Sequence, residues 1–229
     1  GFGLAPETAA LLAHHAGNLA GLSGARRWHE LLRCLQEPVP IPLLRALDDY
    51  RLLPAIHPAL ALTPGAIARL RRAEAARYQP PLAPAPLLCL LLWDAPAVRT
   101  RPASRLPDGL RAMPAARPVA ETLAAPAPTP GAMVAAIEAL PTAAAITLQY
   151  APAYPLARAR AHTYQALWQH IHPQLRGDRL LAQGVQRGPL VGRYLQALRA
   201  EALQEHTTTA DEEAWLVQDW LAHDGPPAP

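Results

Sequence analysis

The chain has 229 residues, with 27 Pro, 13 Gly, 2 Cys, 5% aromatics and 21 basic residues that are all arginine. A hydrophobic content of 51% is ample for one large core or two to three small ones. No Gly-X-Y period runs through it and two cysteines cannot staple it, which excludes collagen-like and disulfide-scaffold proteins; the prolines exclude long coiled coils.

The net charge of +3 hides an asymmetry. Residues 1–199 hold all 21 Arg and 11 acids, a net +10, whereas residues 200–229 hold 7 acids and no Arg, a net −7. A basic body points to a polyanionic partner. A GC-rich coding sequence also raises Ala, Arg and Pro together, but it does not explain why arginine stops at Arg199.

Taken in chain order, helix signals dominate. Pro6 is placed to open a first helix, with Gly17 as its stop. Ser23 caps a second over about 24–36, whose apolar face is Trp28, Leu31, Leu32 and Leu35. Its other face offers Arg26–Glu30 and Arg33–Glu37 as weak ion pairs. Leu43, Leu44, Leu47 and Tyr50 mark a third helix, and Thr63-Pro64 opens a fourth that carries Arg69, Arg71, Arg72 and Arg77. Gln79–Pro86 reads as a proline-rich connector, Leu87–Trp93 as a buried element, and Arg99–Pro130 as short helices broken by loops.

Further helices open at Thr129-Pro130 and Pro155, and only Ala145–Tyr150 alternates faintly like a strand. Gly184 stops a short helix begun at Gly177-Asp178, and Gly188-Pro189 opens the next. Thr209-Ala210-Asp211-Glu212 is a capping box, followed by Trp215, Leu216 and Trp220 as an apolar face. The expected fold is all-α, an irregular array of short helices without a repeat period.

Catalytic signals are thin. Asp48-Asp49 and Asp211-Glu212-Glu213 are runs whose adjacent members point about 100° apart on a helix and do not focus on one cation. The latter reads as the acidic first turn of a capped helix. His14-His15 and His170/His172 lack Cys or carboxylate neighbours at zinc-site spacing, so no metal site is expected. Cys34 and Cys89 sit in apolar contexts as expected buried thiols.

Leu87–Trp93 is too short to cross a bilayer, which needs about 20 residues. The absence of a signal peptide, with a start at Gly-Phe-Gly-Leu and no methionine, reads as a cytoplasmic fragment or processed chain.

The remaining signal is arginine, whose fork binds phosphate bidentately with a strong salt dependence. Three patches offer themselves: Arg69/Arg71/Arg72, Arg99–Arg117, and Arg176/Arg179/Arg187/Arg193. Solvated helix faces have the same composition, and both readings stand. Likewise Gly184…Gly188-Pro189 is either a plain tight turn or a joint that presents free amides to a phosphate.

Order along the chain adds a resemblance. Phe2-Gly3-Leu4…Glu7-Thr8, then Leu22-Ser23-Gly24-Ala25-Arg26-Arg27-Trp28-His29-Glu30-Leu31, then Leu52-Leu53-Pro54-Ala55-Ile56-His57-Pro58 resemble the neck and body of bacterial class II tRNA nucleotidyltransferases, the CCA-adding enzymes and their poly(A) polymerase relatives. Leu175-Arg176-Gly177-Asp178-Arg179-Leu180-Leu181-Ala182-Gln183-Gly184-Val185, Gly188-Pro189…Gly192 and the capped helix at Thr209–Leu221 are similar to that family's tail. Two residues depart from its pattern: Ala25 stands where glutamate is usual, and Arg51 where glycine is usual.

The resemblance implies neck and start of body at 1–63, body at 64–156 and tail at 157–229. It implies that the body and tail bind the acceptor and T arms of tRNA, with Arg69, Arg71, Arg72, Arg176, Arg179, Arg187, Gly188 and Arg193 as the residues expected at phosphates. Arg26 and Glu30 match the last neck motif, whose implied role is support of the nucleotide pocket. The family's metal-binding aspartates lie on an N-terminal head outside this sequence. The chain alone is therefore expected to be inactive and to hold no cofactor, with Mg2+ and CTP or ATP serving a full-length parent. Its expected partners are tRNA and that head, not a membrane, with self-association through an exposed neck. The alternative is a helical protein-interaction domain without RNA binding.

Overall fold

A computed structural model describes residues 5–76, 82–95, 113–207, 209–223 and 225–226. Among these residues the fold is all-α, with no strand. The helices are α1 Pro6–His15, α2 Gly24–Cys34, α3 Pro40–Asp49, α4 Leu52–Ile56, α5 Pro64–Ala75, α6 Pro84–Leu91, α7 Met113–Ala124, α8 Pro130–Glu138, α9 Thr142–Thr147, α10 Pro155–Ala166, α11 Gly177–Ala182, α12 Pro189–Leu203 and α13 Ala210–Ala222. Proline opens α1, α3, α5, α6, α8, α10 and α12. There its missing N–H costs nothing and its fixed φ suits the first turn.

Side-chain caps complete several starts. Thr63 accepts from the Ala66 amide at 3.1 Å, Thr129 from Ala132 at 3.2 Å and Ser23 from Arg26 at 3.3 Å. At α13 the capping box closes in both directions: Glu212 N donates to Thr209 Oγ1 at 3.3 Å, and Thr209 N donates to Glu212 Oε2 at 3.0 Å.

The chain forms two compact units, residues 1–118 with 140–153 and residues 119–139 with 154–229. The first is centred on α6, which is buried all round from Leu87 to Leu91, as are Leu92 and Trp93 just beyond it, and packs against α2, α5 and α9. A helix apolar on every face belongs at the centre of a core. Cys89 on α6 is fully buried, and burial pushes its thiol up to about 12; Cys34 is half-buried, and both thiols are free.

The stretch 145–150, which alternates like a strand, is instead the end of α9 and the turn after it. Thr147 Oγ1 donates to the Ala143 carbonyl one turn back at 2.6 Å, so the segment satisfies its polar groups locally.

The second unit packs α11, α12 and α13 around Leu180, Val185, Tyr194, Leu198, Val217 and Trp220, with the Tyr194 and Trp220 rings edge-to-face at 5.9 Å. A Cβ on Gly131 would lie 3.1 Å from Ala200 Cβ, so two small residues set the close approach of α8 to α12.

One expectation on α13 is corrected. Its buried stripe is Glu213, Val217 and Trp220, whereas Trp215 is 65% exposed. The sequence places carboxylates outside, yet Glu213 is 2% exposed and takes a core position, which rotates Trp215 into solvent.

Among the described residues no helix is long and apolar enough to cross a membrane, and no three His, Cys, Asp or Glu side chains gather to hold a metal.

Candidate nucleic-acid interface

The arginines divide into two populations. Among the described residues, Arg27, Arg69, Arg72, Arg117, Arg160 and Arg199 donate to backbone carbonyls inside the fold. Arg27 Nη1 reaches the Ala55 and Ile56 oxygens, both at 3.0 Å, and Arg160 Nη1 reaches those of Leu123 and Ala125 at 2.8 and 2.6 Å. Arg117 holds the Trp93 oxygen and, at 2.7 Å, that of Ala95. Most of these carbonyls end a helix, where oxygens lack an intrahelical donor and the dipole favours a cation. The guanidinium fork can take two at once.

This division corrects the first expected patch. Arg69 is 5% exposed; its Nε donates to the Leu90 oxygen at 2.9 Å and its Nη1 lies 2.8 Å from Asp94 Oδ2. The pair lies over Gly65, where an added Cβ would come within 3.2 Å of both groups. Arg72 Nε donates to the Tyr150 oxygen at 2.9 Å. Only Arg71 of the three is exposed. Burial raises the carboxyl of Glu74, three residues on, and Arg71 lowers it. The patch fails because a run 69/71/72 cannot share one helix face, and two of its members turn inward. Of the second patch, Arg117 is such a clamp, while Arg99, Arg101, Arg105 and Arg111 lie outside the described residues, as does Arg77.

The third patch is different. Arg176, Arg179, Arg187 and Arg193 are all exposed, and among the described residues none has a side-chain hydrogen bond or ion pair. They flank the α11–α12 joint, where Gly184 (φ 104°) and Gly188 (φ 127°) adopt backbone that side chains rarely allow. Gly188 is the N-cap of the 15-residue α12 and offers no side chain to its amides. A Cβ on Gly177 would sit 3.3 Å from Val191 Cγ1, so α11 lies close on α12. The loop before Arg176 is pinned from below: Glu213 accepts from the amides of Gln174 at 2.9 Å and Leu175 at 2.7 Å.

The first 63 residues carry a second exposed set, of which the helix pattern marks Arg26 and Arg33 but not Arg45 and Arg51. On α2, Trp28, Leu31 and, just beyond it, Leu35 face inward, leaving Arg26, Glu30 and Arg33 outside. The ion pair that forms is Arg33–Glu30 at 3.8 Å, both exposed, in place of the expected i, i+4 pairs. Arg45 and Arg51 are exposed on α3 and before α4. These four are scattered in sequence, so no local run marks them. Beneath them Arg27 clamps the end of α4, and the Trp28 and His57 rings lie 5.5 Å apart with their planes tilted by 36°. Burial, and then the Arg27 charge, hold the His57 imidazole below its usual range, while His57 Nδ1 accepts from the Ala59 amide at 3.1 Å.

Arg51 has φ 57° and ψ 27°, the left-handed region. That is the conformation for which glycine, the usual residue of the resembled pattern, is suited.

Exposed guanidiniums on a helical carrier are chemically suited to polyanions, and the comparisons bear on which one. Residues 1–63 match a family model described as "Probable RNA and SrmB-binding site of polymerase A". The chain is also 48% identical, over 62 residues, to the Multifunctional CCA protein of two strains of Xanthomonas campestris pv. campestris. That stretch is 26% of this chain and 15% of the relatives' length. No solved structure matches the chain. Over residues 1–63 the chain is therefore similar to the probable RNA-binding site of polymerase A and to a short part of the CCA proteins. The likeness seen in residues 160–222 lies outside the matched residues.

Proposed function

We propose that this chain positions the acceptor and T arms of tRNA for nucleotide addition at the 3′ end by a catalytic head attached to its N-terminal side. The observation that carries the reading is the family match over 1–63, where Arg26, Arg33, Arg45 and Arg51 stand exposed. Arg176, Arg179, Arg187 and Arg193, with the side-chain-free helix start at Gly188, supply a second set of phosphate partners on the other unit. A helical duplex is recognised by the spacing of its phosphates and 2′-hydroxyls, which scattered guanidiniums suit better than base-reading side chains do. Arg26 and Glu30 support the nucleotide pocket of the assembled protein in this reading.

In this reading Mg2+ and CTP or ATP belong to the head. The chain alone adds no nucleotide, and we place it in the cytoplasm with its RNA. Helix α1 has no buried residue, and Leu11 is 60% exposed. That bare helix favours a contact with the head, or with a second copy when the head is missing; it is also what a protein-interaction domain would show.

The test is binding of labelled tRNA and of an acceptor–T-arm minihelix across a salt series. Both should bind, with affinity falling linearly on a logarithmic salt scale. The double reversal Arg176→Glu/Arg179→Glu should weaken both at low salt. Binding that is absent at low salt, or insensitive to salt, rejects the RNA role. Equal affinity for an unstructured RNA of the same length rejects the tRNA-arm assignment alone.

A further inference from the structure

The α12–α13 end of the second unit holds a cavity of about 480 Å³ that the RNA reading does not use. Its walls include Glu201 near the end of α12, Thr207 in the connecting loop, and Asp211, Glu212 and Trp215 on α13. Trp215 is the exposed tryptophan described above, with two thirds of its surface open to solvent. Glu201 is held by His206 at 2.8 Å and Glu212 is committed to the capping box, whereas Asp211 is exposed at the rim.

A separate observation points to a missing ligand. Thr207 is 5% exposed, and its Oγ1 is buried with no hydrogen-bond partner. A buried hydroxyl left unpaired costs stability, and native folds rarely leave one so.

We infer that this cavity is a docking site for an arginine-bearing segment of a basic partner protein. The chemistry of the walls selects the occupant. A tryptophan face open to solvent attracts a cation, and a guanidinium stacks on it better than an ammonium does. The Asp211 carboxylate at the rim accepts the N–H donors of that fork, and Thr207 Oγ1 accepts one more. The surrounding stretch 200–229 is net −7 and has no arginine of its own to fill the site. The same charge repels phosphates, which separates this surface from the arginine sets proposed for RNA. The inference stands independently of the RNA reading.

The experiment titrates the full chain into a fluorescein-labelled arginine-rich peptide, its lysine analogue and its glutamate analogue, by anisotropy. The arginine peptide should bind, the lysine analogue more weakly, and the glutamate analogue not at all. Trp215→Ala should weaken the arginine peptide about tenfold, the loss of one desolvated cation–aromatic contact. Asp211→Asn should also weaken it, and neither change should alter tRNA binding. Both side chains are exposed, so the variants should melt as the parent does.

Thr207→Val is the sharper variant. It removes an unpaired polar atom, so it should lower peptide affinity without lowering the melting temperature. Three results would overturn the inference. One is peptide binding unchanged in all three variants. Another is loss of RNA binding in Trp215→Ala, which would make the tryptophan a platform for a nucleobase. The third is a dimer of this chain that Trp215→Ala dissolves, which would assign the cavity to a second copy.

Discussion

Glu213 Oε2 accepts the Leu175 amide at 2.7 Å, binding α13 to a loop 38 residues earlier in the chain. The carboxylate also takes the Gln174 amide and is buried, and among the described residues it has no ion-pair partner. It does the work of a helix cap for a segment that is not helical, and it holds the backbone just before Arg176.

Truncation at Glu213 should therefore expose the role. Glu213→Ala leaves the buried Leu175 amide and the part-buried Gln174 amide without their acceptor and should cost about 2–3 kcal/mol. Glu213→Gln keeps one acceptor and should cost roughly half as much. Urea denaturation monitored by tryptophan fluorescence measures both, and a Glu213→Ala variant as stable as the parent would remove the pin.

Arg51 couples stability to binding with opposite signs. Its left-handed backbone is strained for a residue with a Cβ. Arg51→Gly should stabilise the fold by about 0.5–1 kcal/mol, because relief of strain outweighs the added freedom of the unfolded chain. The same change deletes an exposed cation, so tRNA affinity should fall and the salt slope should drop by about one if Arg51 meets a phosphate. Melting and binding curves on one preparation test the pair.

Arg69 and Arg71 lie two positions apart and should behave as different kinds of residue. Arg69→Ala removes the partner of the Leu90 carbonyl and of Asp94, and should cost about 2–4 kcal/mol. Arg69→Lys should recover little, since an ammonium cannot reproduce the fork. Arg71→Ala should change stability by under about 0.5 kcal/mol. Chemical denaturation of the three variants is decisive, and equal effects at 69 and 71 would contradict the assignment.

His57 makes the first unit sensitive to mild acid. Its folded-state affinity for a proton is lowered, first by burial and then by Arg27, so the unfolded chain binds the proton more readily. Stability from this site is fully present above the ordinary imidazole range and is lost as pH falls through it. A His57→Phe variant should show a flatter stability curve between about pH 7.5 and pH 5, where the imidazole titrates. An unchanged slope would mean that other groups carry it.

Helix starts were the most legible part of this sequence. Thr63-Pro64, Thr129-Pro130 and Thr209 with Glu212 carry their signal within four residues, because a cap is a local hydrogen bond. Charged residues in the interior were not legible. Nothing near Glu213 says that it will meet the amides of Gln174 and Leu175, and nothing near Arg72 says that it will meet the Tyr150 carbonyl.

The inward turn of Arg69 and Arg72 and the exposure of Trp215 belong with these, since partners distant in sequence set them. The joint at Gly184 and Gly188 lay between these extremes: its turn was evident from composition, whereas the openness of its four arginines came only from the packing of α11 on α12. The glycine expected at position 51 was noticed as a departure, and the backbone angle there supplies its physical reason.

A chain without lysine has no side-chain amine, so amine-directed reagents leave every one of its internal ties untouched. Guanidine-directed dicarbonyls would instead sort the arginines by their duties. Arg27, Arg69, Arg117 and Arg160, closed on carbonyl oxygens, would be spared, while Arg26, Arg45, Arg179 and Arg193 would be consumed. The protection pattern of a single residue type is thus a footprint of the fold, and any exposed arginine shielded by added RNA would trace where the nucleic acid lies.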